Sequence, residues 1–175
     1  MFAPAFATGI AVFACGLFAQ AGYAKLKQPD AYRQPLQEYL GIRALPAWAP
    51  RAVGGLELAA AFAVALPATR GLGAIVCVSL LLCYAIAMAM QVRQGRVDLR
   101  CGCSGPASDT RVSPALVIRN VMAALPCLAL VFVAGAPVPA PAVLIGAALG
   151  VVLLLTYLSG DQIIANRQRL QGWAA

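Results

Sequence analysis

The sequence predicts an all-α membrane protein, a polytopic bundle of transmembrane helices. Of its 175 residues, 62% are hydrophobic and only 11% are charged, and the mean hydropathy is +0.82. A soluble domain carries about 25% charged residues, so this chain has too few charges to cover a surface in water. Five apolar stretches, most of them near the length that crosses a bilayer, fill the greater part of the sequence. We therefore expect one integral-membrane domain over residues 1–175, with the lipid bilayer as its surroundings.

The five apolar stretches predict five transmembrane helices in order along the chain. The first has no charge before Lys25 and lacks the basic start of a signal peptide, so we expect a retained helix. The second is interrupted by Glu57 and is short for a span, and the turn-forming "PATRG" separates it from the third. Ser113 and Pro114 open the fourth as N-cap and first helical residue, and Gly160 is expected to end the fifth. The predicted helices are 3–24, 52–67, 71–91, 114–134 and 141–159.

Two polar segments connect these helices on one side of the predicted bundle. Residues 25–51 form the first, in which "PLQEYLG" predicts a short helix in the membrane interface, with Pro35 at its start and Gly41 past its end. Residues 92–113 form the second, which contains "RCGCSG" and is called the cysteine loop below.

Basic residues are strongly biased to that same side. With alternating helices, eleven lysines and arginines fall in residues 25–51, the cysteine loop and the C-terminal tail, and only Arg70 falls on the opposite side. The positive-inside rule then predicts an outside N-terminus and a cysteine loop at the cytoplasmic face. The same alternation places Lys25, Glu57 and Arg119 on the side of the cysteine loop. Because topology accounts for the net charge of +7, we expect no nucleic-acid partner.

The chain has no histidine, which excludes several classes of site. Bis-histidine haem, histidine-bearing zinc or iron sites, and Cys–His or Ser–His catalysis all need an imidazole. Any chemistry must therefore use Cys, Glu, Asp, Lys, Arg or Tyr side chains, and we assign no residue as a metal ligand.

Cys101 and Cys103 are the candidate reactive residues, since they lie in a polar loop while the other four cysteines lie in apolar segments. Cations such as Arg100 favour the thiolate, which is the reactive form. A disulfide across one residue closes a very small ring, and Gly102 has no side chain to resist the bend. Such a strained bridge exchanges easily. The spacing favours a redox pair, and a soft-metal site and two inert thiols stay open as alternatives.

Glu57 and Arg119 are charges within apolar segments, where an unpaired charge is costly and marks a candidate functional site. Each lies about five residues, roughly 8 Å, from the start of its predicted helix. We therefore predict an ion pair between them, with Asn120 and Lys25 adding hydrogen bonds. This pair would form the polar floor of a pocket beneath the cysteine loop, with Glu57 exchanging protons during thiol chemistry. The alternative is that the pair only fixes the register of the helices.

Four motifs resemble those of the methylamine-utilisation protein MauE family, a relative of the DoxX-like membrane proteins. They are "AGYAKL", "GGLELAAA", "GRVDLRCGCSG" and "VIRN", and the resemblance extends from about residue 6 to residue 158. It implies a four-helix DoxX-like core and a multi-pass protein of the bacterial inner membrane, associated with thiol redox chemistry. Ser104 stands where the family pattern has an aromatic residue, so the fit to the substrate stays open.

The resemblance also implies a function and a set of site residues. Family members are tied to the maturation of methylamine dehydrogenase, whose small subunit carries many disulfides, and they commonly act beside a thioredoxin-like partner. We therefore expect a thiol–disulfide oxidoreductase or accessory factor for that enzyme or for other periplasmic proteins. The residues carried over are the redox pair and the polar residues of the motifs: Cys101, Cys103, Lys25, Glu57, Arg119 and Asn120.

The compartment of the cysteine loop is predicted in two conflicting ways. Disulfide formation belongs to the periplasm, whereas the charge bias places the loop inside. Either the loop folds into the bundle and is reached from both faces, or the orientation is reversed. We keep the charge-based orientation because the eleven-to-one bias is hard to explain otherwise.

Two further classes of function stay open from the sequence. A soft-metal or small-solute transporter would capture its cargo at the loop thiols and pass it along Glu57 and Arg119. A quinone-linked subunit, as the DoxX-like relatives suggest, would bind a quinone in a pocket floored by Arg119. Quinone is the one candidate cofactor, and a homo-oligomer is also left open.

Overall fold

The structure, a computed structural model, describes residues 2–42, 44–96, 111–133 and 139–173. Helices make up nearly all of these residues, which confirms the all-α class. Their order along the chain is α1 (Phe2–Lys27), α2 (Pro29–Leu40), α3 (Ala49–Ala65), α4 (Arg70–Arg93), α5 (Pro114–Val133) and α6 (Ala140–Trp173).

Four helices, rather than the five predicted, have the length and hydropathy of a membrane span within the described residues. They are α1, α4, α5 and α6, and their apolar windows have mean hydropathies of 1.6 to 2.5. The second apolar stretch forms α3, whose 17 residues reach only about 25 Å at 1.5 Å per residue. The hydrocarbon core is about 30 Å thick, so α3 is shorter than a full span and packs against α1 and α4.

The short helix predicted in residues 25–51 forms, but it begins earlier than expected. It starts at Pro29, and Pro35 lies inside it rather than at its start. Proline is favoured at the first helical position. A backbone N–H group at this position has no hydrogen-bond partner within the helix, so the absence of this group in proline costs nothing. Gly41 ends the helix with φ of 65°, as its position predicts, because the left-handed conformation is accessible to glycine without strain.

The last helix is much longer than predicted, since Gly160 lies inside α6 instead of ending it. A glycine inside a helix costs only about 1 kcal/mol relative to alanine, and tertiary contacts beyond it offset this cost. The Gln168 side chain exchanges two hydrogen bonds with the backbone of Arg111, at 2.8 and 2.9 Å. Contacts of this kind hold the final turns of α6 against the start of α5.

Helix α1 lies at the centre of the bundle and contacts all five other helices. Its approach to α6 is close, because a Cβ on Gly150 would lie only 2.5 Å from the carbonyl oxygen of Gly9. Its approach to α3 is close in the same way, where Gly22 and Gly54 face each other. The main apolar core fills the space between α1, α3, α4 and α5, with large buried side chains Ile10, Phe18, Val64, Leu81 and Leu130.

These contacts bring five helix termini to one end of the bundle, which we call the site end. Helices α1, α4 and α6 end there, and α3 and α5 begin there, as the Gly22–Gly54 and Arg111–Gln168 contacts show. Gln91 near the end of α4 also donates a hydrogen bond to the carbonyl of Tyr39 in α2, at 3.3 Å. The opposite end, where α4 begins, is called the far end.

Candidate functional site

Glu57 lies in the middle of α3 and is completely buried. Lys25, in the last turn of α1, donates hydrogen bonds to both carboxylate oxygens, each over 2.8 Å. The ammonium group is itself buried, with 5% of the residue exposed. A buried ion pair is tolerated only when its geometry is good and its remaining hydrogen-bonding groups are satisfied. The two short hydrogen bonds from Lys25 to Glu57 meet the first condition.

Aromatic residues complete the surroundings of this pair. The Tyr84 hydroxyl, from α4, donates a hydrogen bond of 2.6 Å to Oε1 of Glu57. The Lys25 ammonium nitrogen lies 5.3 Å from the ring centroid of Tyr32 and 5.7 Å from that of Tyr84, within the range of cation–π attraction. One carboxylate and two aromatic rings therefore hold a single cation, and the cluster joins α1, α2, α3 and α4.

A second buried ion pair joins α5 to α6. Arg119 pairs with Asp161, and their side chains are 10% and 5% exposed. The guanidinium carbon of Arg119 lies 4.5 Å from the ring centroid of Tyr157, one turn before Asp161 in α6. Arg119 is thus neutralised by a carboxylate and stacked on an aromatic ring, in the same manner as Lys25.

Asn120 and Tyr157 connect the second ion pair to the core of the bundle. The Tyr157 hydroxyl donates a hydrogen bond of 3.1 Å to Oδ1 of Asn120. The Tyr157 ring also meets Phe13 edge to face, with centroids 5.9 Å apart. Asn120 is 2% exposed, and its Nδ2 has no hydrogen-bond partner in the part of the chain that the structure describes. A buried amide of this kind needs a partner such as an ordered water.

A cavity of about 40 Å³ lies between the two ion pairs, and we call it the polar cavity. A water needs about 10 to 15 Å³ of such space and two to four polar partners, so the cavity has room for two or three waters. Apolar residues of α1 form one of its walls. Its polar lining consists of Gln20, Lys25, Glu57, Tyr84, Asn120, Tyr157 and Asp161.

The predicted ion pair between Glu57 and Arg119 is wrong in its partners. Glu57 pairs with Lys25, and Arg119 pairs with Asp161. The close approach of α1 to α3 at Gly54 brings the long Lys25 side chain within reach of Glu57. Lys25, Glu57 and Asn120 nevertheless lie together around the polar cavity, with Arg119 next to it through Asp161.

Three residues of the site were missed by the sequence reasoning, namely Tyr84, Tyr157 and Asp161. Asp161 follows Gly160, which was expected to end the helix, so its carboxylate was not placed in the bundle. The signal available was the spacing of Tyr157 and Asp161, four residues apart and therefore on one helix face. A tyrosine in an apolar helix, such as Tyr84, gives no comparable signal.

The predicted redox pair, Cys101 and Cys103, lies outside the described residues, together with Arg100 and Gly102. The adjoining described residues are Arg96, just after α4, and Arg111, just before α5, both at the site end. Of the other cysteines, Cys77 and Cys127 are buried, Cys15 is half-buried and Cys83 is exposed. Within the described segments, no group of three or more Cys, Asp or Glu residues is arranged to hold a metal ion.

A larger cavity of about 240 Å³ lies between α2 and α4, and we call it the apolar pocket. Its walls are mainly aromatic and aliphatic, and Lys25 and Tyr84 belong to its lining as well as to that of the polar cavity. Lys25 is the charged residue of this lining, and Arg119, expected from the sequence to floor a pocket, is not part of it. The remaining lining includes Tyr32, Leu36, Tyr39, Cys83 and Met88.

Comparisons with known proteins agree with the motifs noted in the sequence. Residues 3–134 match the family model described as methylamine utilisation protein MauE. The chain is 31% identical to methylamine utilization protein MauE of Paracoccus denitrificans, over 86% of this chain and 82% of that relative. It is also 31% identical to the protein of that name in Methylophilus methylotrophus, over 96% of this chain and 92% of the relative. No solved structure matches the chain.

Proposed function

The chain belongs to the MauE family, and we propose that it is a thiol–disulfide redox protein of the bacterial inner membrane that serves methylamine utilisation. Cys101 and Cys103 are its redox pair in this proposal, and a thioredoxin-like protein is the partner with which they exchange. Lys25, Glu57, Arg119 and Asn120 support the pair from within the bundle.

The observation that carries this proposal is the polar cavity at the site end. It lies at the end of the bundle where the cysteine loop connects Arg93 of α4 to Pro114 of α5. Buried ion pairs are often no more stabilising than apolar residues of similar volume. Two such pairs around one cavity therefore favour a chemical role over a purely structural one, because packing alone would be served as well by leucine or methionine.

The proposed reaction is an exchange between one disulfide and one dithiol. A thiolate of the partner attacks one sulfur of the Cys101–Cys103 disulfide, a mixed disulfide forms, and the other sulfur leaves as a thiolate. The second thiolate of the partner then breaks the mixed disulfide. The partner is oxidised by two electrons, the pair is reduced, and the two thiol protons of the partner end on Cys101 and Cys103.

Glu57 is the residue to which we assign proton exchange during this reaction. Its carboxylate faces the polar cavity, where waters have room to carry a proton. Lys25, Arg119 and Asn120 are positioning residues, since each is held by a neighbouring carboxylate or tyrosine. Exposed arginines at the site end, such as Arg93 and Arg96, are the cations that favour the thiolate.

We place the site end at the cytoplasmic face, following the charge bias of the sequence. This orientation is tested with a membrane-impermeant maleimide in intact cells and in cells opened with detergent. Labelling of Cys101 and Cys103 only after the cells are opened supports the orientation. Labelling in intact cells reverses it, and leaves the redox proposal itself unaffected.

Trapping of the partner tests the redox proposal. A Cys103→Ser variant leaves one thiol of the pair, which can attack the disulfide form of the partner in the reverse direction of the exchange. We expect it to accumulate a mixed disulfide that is visible on a non-reducing gel and lost with dithiothreitol. The matched control is Cys83→Ser, which removes an exposed cysteine of α4 and should trap nothing. If Cys101 and Cys103 are both replaced by serine and growth on methylamine is unchanged, the proposal is wrong.

The apolar pocket favours a second candidate function, that of a quinone-linked membrane subunit. Its volume of about 240 Å³ suits a small aromatic ring, with Tyr32 and Tyr39 as apolar walls and the Lys25 ammonium as a polar contact. Solvent extraction of the purified protein, followed by chromatography, tests this directly. A stoichiometric quinone that is lost in a Met88→Trp variant, which fills the pocket, supports it, and its absence from the wild type contradicts it.

A further inference from the structure

We propose that the far end of the bundle carries a binding site for one anionic phospholipid, whose phosphate binds Arg70 while an acyl chain lies in the adjoining groove. This site is separate from the polar cavity and does not depend on thiol chemistry.

The first observation is a buried arginine that has no counter-ion among the described residues. Arg70 is the first residue of α4 and is only 6% exposed. Its Nε is shielded from solvent and has no hydrogen-bond partner within the described residues. The ion pairs found among those residues join Lys25 to Glu57 and Arg119 to Asp161, and do not include Arg70. An unpaired charge in a buried position is unfavourable, so this guanidinium favours the binding of an anion beside it.

The second observation is that the described acidic residues lie elsewhere. Asp30 and Glu38 are in α2, Glu57 is held by Lys25, and Asp161 is held by Arg119. All four belong to helices or clusters of the site end. The remaining two of the six acidic residues, Asp98 and Asp109, lie outside the described residues.

The third observation is the groove in which Arg70 lies. It encloses about 640 Å³ between α1, the end of α3 and α6, and its lining is mostly apolar. Arg70 is the only charged residue in its described lining, and the other residues include Ala11, Val12, Cys15, Val143 and Leu154. A cation at one point of a long apolar groove matches an amphiphile with an anionic head and a hydrocarbon tail.

The position of Arg70 along its helix agrees with a lipid phosphate. Arg70 is the first residue of the apolar span Arg70–Arg93, and therefore lies at the boundary between hydrocarbon and headgroups. The start of α4 has no acidic residue in its first turn and no side-chain cap, since the Thr69 hydroxyl donates to the carbonyl of Ala63 instead. The positive end of the helix dipole adds to the attraction for a phosphate.

The chemistry of the site distinguishes a phospholipid from a free phosphate. Guanidinium binds phosphate through two parallel hydrogen bonds, which accounts for the head. Inorganic phosphate would leave the apolar groove without a ligand, whereas the acyl chain of a phospholipid fills it and packs against its apolar walls. The anionic headgroup is preferred to a zwitterionic one, because choline would bring a second cation close to Arg70.

Native mass spectrometry of the full chain in a neutral detergent tests the proposal. We expect one phosphatidylglycerol to bind tightly to the wild type, and Arg70→Gln to weaken this binding about tenfold. The matched control, Arg167→Gln, removes an exposed arginine of α6 and should leave the affinity unchanged. Phosphatidylcholine should bind more weakly, and inorganic phosphate at the same concentration should not displace the lipid.

A second variant keeps the proposal testable even where Arg70→Gln does not fold. Val143→Phe narrows the groove and leaves the arginine in place, so phosphatidylglycerol should again bind several-fold more weakly. Unchanged affinity in this variant, or in folded Arg70→Gln, overturns the proposal. Equal binding of phosphatidylcholine, or displacement of the lipid by inorganic phosphate, also overturns it, since the site would then not select an anionic lipid.

Discussion

The two ends of the bundle treat buried charge in opposite ways. At the site end, Lys25 and Arg119 are each paired with a carboxylate and packed against a tyrosine ring. At the far end, Arg70 is just as buried, but no carboxylate of the described residues faces it. The same chain therefore pairs both buried cations of the site end with carboxylates, and leaves the one at the far end without such a partner among the described residues.

This difference indicates which end of the bundle supplies counter-ions for its own buried cations and which end depends on the membrane for one. The two ion pairs fix the position of α1 against α3 and of α5 against α6, and water in the polar cavity is left to supply a partner for the buried Asn120 amide. An unpaired arginine at the edge of a span takes its partner from the membrane instead. The site end is thus suited to chemistry that needs fixed geometry, and the far end to binding.

The largest effect is expected when the pair at the site end is broken. Lys25→Met leaves the Glu57 carboxylate uncompensated in a fully buried position, with only the Tyr84 hydroxyl as donor. Loss of one partner of a buried pair costs about 3 to 5 kcal/mol. We expect a loss of that size in the free energy of unfolding, measured by SDS titration from mixed micelles with circular dichroism.

Two controls show whether this loss comes from the uncompensated charge. Lys27→Met removes an exposed lysine from the same turn and should cost little. Lys25→Met combined with Glu57→Gln removes both charges and should recover a large part of the stability. If the double variant is as unstable as Lys25→Met alone, the loss comes from packing and the comparison between the two ends fails.

Asp161→Asn is expected to have the next largest effect, because it leaves Arg119 with the Tyr157 ring alone. The Arg119 side chain is slightly more exposed than Glu57, so we expect about 2 to 4 kcal/mol from the same titration. Arg119→Met with Asp161→Asn should recover part of it. A loss below about 0.5 kcal/mol for Asp161→Asn would mean that solvent reaches this ion pair. Only the Lys25–Glu57 pair at the polar cavity would then be shielded from solvent.

The sequence predicts which residues belong to the site better than it predicts which of them pair with each other. Charges stand out in apolar segments because the bilayer makes them costly, so Lys25, Glu57 and Arg119 could be selected from their types and positions alone. Hydropathy likewise predicts an all-α bundle, since only helices or closed barrels satisfy the backbone in lipid. These inferences depend on composition and spacing, which the sequence contains in full.

The partners of these charges depend on how the helices rotate and approach, which the sequence does not contain. Glu57 and Arg119 were expected to pair because their depths agree, yet α1 approaches α3 closely enough for Lys25 to reach Glu57 first. Asp161 was left out because Gly160 was taken as a helix end. This error also arises because tertiary contacts cannot be deduced from the sequence. Contacts beyond Gly160, such as those of Gln168 with Arg111, stabilise the helical continuation of α6.

Close helix packing is the third way to change the site end, and adjacent glycines provide a matched pair. A Cβ on Gly54 would lie 2.9 Å from the carbonyl oxygen of Gly22 and 3.0 Å from the Cβ of Lys25, whereas one on Gly55 would meet nothing within 4 Å. We expect Gly54→Ala to cost about 1 to 3 kcal/mol through overpacking. Gly55→Ala should be neutral or stabilise by about 0.5 to 1 kcal/mol. Equal effects of the two would contradict the close approach of α1 to α3.

The smallest effect is expected at the far end, where Arg70→Met removes a buried cation that has no partner to lose. In neutral detergent without phospholipid, we expect the free energy of unfolding to change by less than about 1 kcal/mol, or to rise, because desolvation of an unpaired charge is avoided. Phosphatidylglycerol at a hundred times the wild-type Kd should then stabilise the wild type by about 2.7 kcal/mol, and Arg70→Met by only about 1.4 kcal/mol if its affinity is tenfold weaker. A loss of 3 kcal/mol or more without lipid would show that Arg70 is paired within the chain, and the two ends would no longer differ.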